Sequence, residues 1–221
     1  MSEGAPHVDS PAGSATLLLV RHGESLWNAA GVLQGQECNG LSPLGFRQAD
    51  AVAEYLAKNH SDAQLFTRSD IRRVQETAAP TEERFGEQAS VDADWREVHL
   101  GTWSGRSRED VIAEHHDELR RWLLCEDIRP GGRGETLPEL RARVWRAAEG
   151  VAERLLSEGG GTAICFTHGG PIRTATAAVL GLSPGGERRI QPVRNGSVTV
   201  IRRDTDGDWR LAAYNRVDHL P

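Results

Sequence analysis

No run of apolar residues in this chain approaches the roughly 20 needed to cross a bilayer, and the first residues lack the basic region and apolar core of a signal peptide. Both absences point to a cytoplasmic protein with no membrane partner. Cysteine is scarce: Cys38, Cys125 and Cys165 lie far apart, without metal-ligand spacing. An odd count of this kind argues against a disulfide framework, so free thiols are expected, with Cys165 buried in a strand. Lysine is nearly missing, Lys58 being the only one among 26 basic residues. The 32 acidic residues outnumber these, for a net charge of −6. Nucleic acid and anionic membrane surfaces require extended basic surface, which this balance disfavours as a general feature. A local basic pocket is still compatible with it.

What is present is an alternation of strand-like and helix-like segments over 221 residues, enough to bury one substantial core. Residues 1–14, rich in Ser, Gly, Pro and Ala, show no periodicity and are expected to form a mobile tail, with one domain over 15–221. Strands are expected near 17–20, 64–67, 90–91, 162–167, 197–203 and 209–214. Helices are expected from Ser42-Pro43, a cap followed by a first-turn proline, and over about 70–85, 108–124, 137–157 and from about Pro171. The cluster Pro130-Gly131-Gly132-Arg133-Gly134 reads as a loop. No internal repeat is found. The sum is an α/β fold, a three-layer α/β/α sandwich on a mostly parallel central sheet with an antiparallel hairpin near its end.

Chemistry-bearing residues stand where strands end. Arg21-His22-Gly23-Glu24 follows Leu17-Leu18-Leu19-Val20, and His168 closes residues 162–167 before Gly169-Gly170. Open α/β sheets place ligands at such ends. Two strand-terminal histidines with arginines nearby suggest an anion site.

These residues resemble the histidine phosphatase superfamily, also called the phosphoglycerate-mutase-like family. The resemblance runs through Arg21-His22-Gly23-Glu24-Ser25-Leu26-Trp27-Asn28, residues 41–49, Ser69-Asp70-Ile71-Arg72-Arg73 with Thr77-Ala78, Glu97 with residues 101–105, and Thr167-His168-Gly169. It covers the chain from about residue 16 to its end, in the family's order. A phosphoryl group needs positioned cationic donors, and arginine's planar fork supplies two parallel hydrogen bonds. The resemblance implies that Arg21 and Arg73 clamp the phosphate, that His22 is the nucleophile, forming a phosphohistidine, and that His168 donates to a non-bridging oxygen. Glu97 would protonate the leaving group and then activate water. Asn28, Gln34 and Gly35 lie in the loop that adds phosphate contacts, and Gly23 and Gly169 would allow close backbone approach. The implied cycle uses no metal and no organic cofactor.

Each assignment has rivals. Glu24 and Glu109 compete with Glu97 for the acid role, though Glu24 is expected to brace the loop after His22. Arg72 is expected on a solvated helix face. His115-His116 and Asp92-Ala93-Asp94 have no convergent partners at ligand spacing. Trp103 and Trp122 are expected to border the site.

Cofactor-dependent phosphoglycerate mutases of the family continue from the acid as Glu-Arg-His-Tyr-Gly, whereas this chain reads Glu97-Val98-His99-Leu100-Gly101. The phosphatase branch is therefore favoured over a mutase, with residues 105–135 as a specificity cap. Arg106, Arg108, Arg120, Arg121 and Trp122 fit either substrate recognition or a charged helix surface. Cys38 stands where many relatives have aspartate. A noncatalytic binding protein on the same fold would have lost at least one of His22, Arg21, Arg73, Glu97 and His168, and all are present. The expected partner is a small phosphomonoester whose identity stays open, as does oligomeric state, a homodimer included.

Overall fold

A computed structural model describes residues 13–37 and 39–221. The expected tail lies almost wholly outside these residues, and so does Cys38.

The first apolar run becomes β1 (Ala15–Arg21). It is buried on both faces because it is central: β4 (Gly161–Thr167) pairs with it in parallel and β5 (Val198–Arg203) antiparallel. With β2 (Leu65–Arg68), β3 (Ser90–Val91) and β6 (Trp209–Arg216) the sheet has six strands in the order β3-β2-β4-β1-β5-β6. Strands β1 to β4 run parallel, and β5 and β6 form the antiparallel hairpin.

Side chains alternate between two helical layers, as a period of two requires. Leu17, Leu19, Ala163 and Cys165 pack with Val144, Ala148, Ala152 and Leu155 of α5 (Leu137–Ser157) and Ile172 of α6 (Gly169–Val179). Leu18, Val20, Ile164 and Phe166 pack with Val52 and Leu56 of α2 (Pro43–Asn59) and Val74 and Ala78 of α3 (Arg72–Phe85). Each fully buried leucine contributes about 1.5–3 kcal/mol by leaving water. The helices are stopped and started by local chemistry. Ser42 caps α2 by accepting from the Gly45 N–H at 3.1 Å, with Pro43 in the first turn. Thr136 and Glu139 form a capping box on α5. A further helix, α4 (Arg108–Leu123), loses helical geometry at His115 and packs most closely on the short turn Pro130–Gly132.

One added helix and two boundaries differ from expectation. α1 (Leu26–Ala29) is a single turn closed by a Ser25–Asn28 capping box. α3 begins at Arg72 rather than near 70, because the Ser69 N–H continues the strand ladder to the Phe166 carbonyl. α6 begins at Gly169, two residues before Pro171, whose missing N–H falls in the first turn where no intrahelical partner exists.

Candidate active site

Register delivers the site. On the parallel strands β1 and β4, Arg21 lies opposite Thr167, so His22 and His168 follow side by side at the same sheet edge. The His22 N–H donates to the Thr167 carbonyl at 3.1 Å, and the two rings meet edge to face with centroids 5.2 Å apart. The next parallel strand, β2, ends one pair short of this line with Arg68 opposite Phe166, and hands on Ser69 and then α3 with Arg73.

Arg73 is the centre of the cluster and is fully buried. Its Nε donates to His22 Nε2 at 3.1 Å and its Nη2 contacts His168 Nδ1 at 2.9 Å. Nη1 and Nη2 also donate to the carbonyls of Glu37 and Gly35, both at 2.8 Å. These partners fix the tautomers. His22 Nδ1 carries the proton, donated to the Gly23 carbonyl at 2.7 Å, which leaves a lone pair on Nε2. His168 accepts from Arg73 at Nδ1, so its proton lies on Nε2 and points to Ser69 Oγ at 3.0 Å. Burial, then the adjacent Arg73 guanidinium, holds both imidazoles well below the ordinary histidine range. Arg21 is lowered to about 10 by burial, against the opposing pull of Glu97. Its Nη1 donates to the Val193 carbonyl, and its buried Nε has no hydrogen-bond partner among the described residues.

The loop after His22 is braced by close backbone contact. A Cβ on Gly23 would lie 2.4 Å from the Gly45 carbonyl oxygen, so glycine is required there. The Gly23 N–H donates to Thr77 Oγ1 at 3.0 Å, and Ser42 Oγ donates to Glu24 Oε1 at 2.7 Å. Glu24 thus holds the loop, as expected. Arg72 is exposed and paired with Glu76, also as expected.

Glu97 receives two backbone N–H groups, from Val98 at 2.9 Å to Oε1 and from Gly170 at 3.1 Å to Oε2. Gly170 leaves just enough room, since a Cβ there would fall 2.0 Å from Glu97 Oε1. Arg21, His22, Asn28, Gln34, Gly35, Arg73 and Glu97 all line one cavity of about 780 Å³. His168 and Gly169 are not on its wall: Arg73 stands in front of the His168 ring, and α6 reaches the cavity through Gly170, Arg173 and Thr174. Glu109, the other rival for the acid role, does not line it. Gln34 is held by Ser25 Oγ, which donates to its Oε1 at 2.8 Å. Away from the histidines the cavity runs under α4, past Trp103, Trp122, Ile112, Leu119 and Leu123.

Two contributions are not readable from the motifs. Asn195 Nδ2 donates to the carbonyls of His22 at 3.1 Å and Gly23 at 3.3 Å and to Asn28 Oδ1 at 3.1 Å, tying the loop after β1 to the start of the hairpin. In the sequence, Asn195-Gly196 carries only a turn signal. Ser69 belongs to a motif, but its partnership with His168 follows from strand order alone.

A cavity bordered by His22, Arg21 and Arg73, with His168 behind Arg73, at the carboxyl edge of a doubly covered sheet is the anion site of a phosphoryl-transfer enzyme of the α/β class. The model of the histidine phosphatase superfamily (branch 1) matches residues 17–217, and the chain belongs to that family. A glucosyl-3-phosphoglycerate phosphatase of Mycolicibacterium vanbaalenii is 33% identical over 213 residues, covering 90% of this chain and 93% of the relative. A metal-independent phosphoserine phosphatase of Arabidopsis thaliana is 30% identical over 206 residues, covering 92% and 82%. The solved structure of a mycobacterial glucosyl-3-phosphoglycerate phosphatase with VO3 superposes with a TM-score of 0.80 at 32% identity, covering 92% of this chain and all of that one, 100%. With phosphatases as relatives, the chain falls in the phosphoric monoester hydrolase class. No helix among the described residues is long and apolar enough to cross a membrane.

Proposed function

We propose that this protein hydrolyses small phosphomonoesters through a phosphohistidine on His22. The observation that carries the reading is the His22 tautomer, with Nδ1–H held by the Gly23 carbonyl and the Nε2 lone pair turned toward Arg73 and the cavity. An arriving phosphate replaces the imidazoles as the acceptor of Arg73 and takes the unpartnered Nε of Arg21. Nε2 attacks phosphorus, the P–O bond to the ester oxygen breaks, and that oxygen takes a proton from Glu97. The charge left on His22 is shared with the Gly23 carbonyl. Once Arg73 turns to the phosphate, His168 takes up a proton from solvent at Nδ1, favoured by the adjacent dianion, and donates it to a non-bridging oxygen. Water then attacks phosphorus, Glu97 accepts its proton, and the P–N bond breaks to return neutral His22 and inorganic phosphate. Asn28, Gln34 and Gly35 border the phosphate end of the cavity. No step draws on a metal or cofactor, so chelators should leave turnover intact, and loss restored by added metal would overturn the mechanism.

Hydrolysis is favoured over mutase chemistry by Val98 and Leu100, which both line the cavity and give a substrate carboxylate no donor from their side chains. Residues 105–135 act as the cap over the leaving group. The test is phosphate release from a panel of small monoesters beside a 3-phosphoglycerate to 2-phosphoglycerate assay with and without 2,3-bisphosphoglycerate. Release without interconversion supports the phosphatase; bisphosphate-dependent interconversion overturns it. Within the same panel, Glu97→Gln should slow alkyl phosphates by about 10²–10⁴-fold and p-nitrophenyl phosphate far less, since nitrophenolate leaves without a proton.

A further inference from the structure

Glu97 sits in a stretch that has no sheet ladder of its own. Between β3 and α4 the chain forms only two short 3-10 turns, Ala93–Trp95 and Gly101–Trp103. The carbonyls of such a segment need donors from elsewhere. One side chain supplies three of them: Arg143, on α5, donates from Nη1 to the carbonyls of Asp94 at 2.8 Å and Arg96 at 2.6 Å and from Nη2 to that of Glu97 at 3.0 Å. Its remaining donors go to Glu135, Nε to Oε1 and Nη2 to Oε2, both at 2.7 Å. All five N–H groups of the guanidinium are then used, a fork that lysine's three donors on a single nitrogen cannot reproduce.

Arg143 and Glu135 are 12% and 14% exposed, so the pair is largely withdrawn from water and each neutralises the other. Glu135 is itself fixed from both sides. Its N–H donates to the His99 carbonyl at 2.7 Å, and its carbonyl accepts from Trp122 Nε1 of α4 at 3.1 Å. Neither charged residue lines the cavity, so neither touches substrate.

We propose that Arg143, clamped by Glu135, is the positioning residue that sets the Glu97 carboxyl for proton transfer to the leaving oxygen. This rests on the acid role of Glu97 given above. Glu97 projects from a main chain that Arg143 pins at the carbonyls of Asp94, Arg96 and Glu97 itself, and its carboxyl is then aimed by the N–H groups of Val98 and Gly170. A shift of the main chain by 1 Å is enough to cost about 10²-fold where a proton must be handed over at hydrogen-bond distance.

The test is a double-mutant cycle read on two leaving groups, an alkyl phosphate and p-nitrophenyl phosphate, using Arg143→Lys, Glu97→Gln and both together. Arg143→Lys should lower kcat for the alkyl ester by about 10–100-fold, with p-nitrophenyl phosphate and both KM values changed by less than about 3-fold. In the Glu97→Gln background the same substitution should add no further alkyl-specific loss, because the group it positions is already gone. Equal losses on both esters, or an alkyl-specific loss that persists without Glu97, would overturn the proposal while leaving the phosphatase reading intact. A Glu97→Gln variant with no leaving-group dependence would overturn the acid role and this proposal together. Should Arg143→Lys not fold, Glu135→Gln carries the same test, with a loss in the same direction and smaller.

Discussion

Where the cavity meets the sheet, side chains are held by directed bonds: Arg73 by four partners, His22 by the Gly23 carbonyl, Glu97 by two N–H groups. Where it runs under α4, the wall is mainly apolar, with Ile112, Leu119, Trp122 and Leu123 beside one charged residue, Arg108, and Ile112 and Leu123 are exposed. The first end rests on three neighbouring parallel strands, the second on a helix that breaks at His115. Geometry fixed to fractions of an ångström suits bond making and breaking. A mainly apolar wall suits leaving groups of varied shape. On the mechanism proposed above, chemistry and selectivity fall to separate parts of one cavity, and substitutions should separate them.

The largest effect is expected at the sheet end. His22→Ala should abolish turnover, and acid-quenched reactions with labelled substrate should show no acid-labile phosphoenzyme; unchanged turnover would remove the nucleophile and dissolve the contrast. Next comes Gly170→Ala, which adds a Cβ 2.0 Å from Glu97 Oε1 and must push the carboxylate aside. Alkyl phosphate turnover should fall by about 10²-fold with little change in KM. An unaffected rate would mean that the position of Glu97 is not critical.

A smaller effect concerns pH and stability. His22 and His168 have folded pKa values held below the unfolded value of about 6.5. The unfolded chain therefore binds more protons as pH drops through that value. The stability contributed by the two neutral rings is complete above about pH 6.5 and is lost as pH falls below it. The melting temperature should decline from about pH 6.5 downward, and His168→Asn should flatten that decline; an identical slope in the variant would contradict the buried neutral state.

The smallest effect belongs to the far end. Ile112→Asp should lower kcat/KM by about 3–10-fold for esters with a bulky apolar leaving group and leave methyl phosphate unchanged, as expected for loss of a partly buried apolar contact. A comparable loss on methyl phosphate would show that α4 takes part in the chemistry.

The same division governs what could be read in the sequence. The β1 run and the histidine after it are local, and so are the Ser42-Pro43 cap and the alternation that splits Leu17 and Leu19 from Leu18 and Val20. The layered fold and His22, Arg21, Arg73 and His168 as site residues follow from such segments and their motifs. Asn195 was not legible because it acts across 173 residues, and its type suggests only a turn. Arg143 is one of many arginines on a helix, and nothing local distinguishes it from Arg146, which pairs with Asp94 at the surface. The screening of His168 behind Arg73 was likewise hidden, since it depends on how α3 swings across two strand ends. The leaving-group wall is the least legible part, because apolar residues at helical spacing look alike whether they face a core or a cavity.

The four bonds of Arg73 carry a consequence for which anions the site selects. Without ligand, its guanidinium is already satisfied by two carbonyls and two neutral imidazole nitrogens, so an anion gains nothing by merely offering a lone pair. It gains by being charged, because an anion adds coulombic attraction and a two-oxygen fit to the guanidinium fork that a neutral imidazole lacks. On the proposed mechanism the exchange grades ligands by charge: a phosphomonoester dianion displaces the histidines more readily than a singly charged carboxylate or phosphodiester. The imidazoles thereby act as internal competitors that an oxyanion overcomes by its charge.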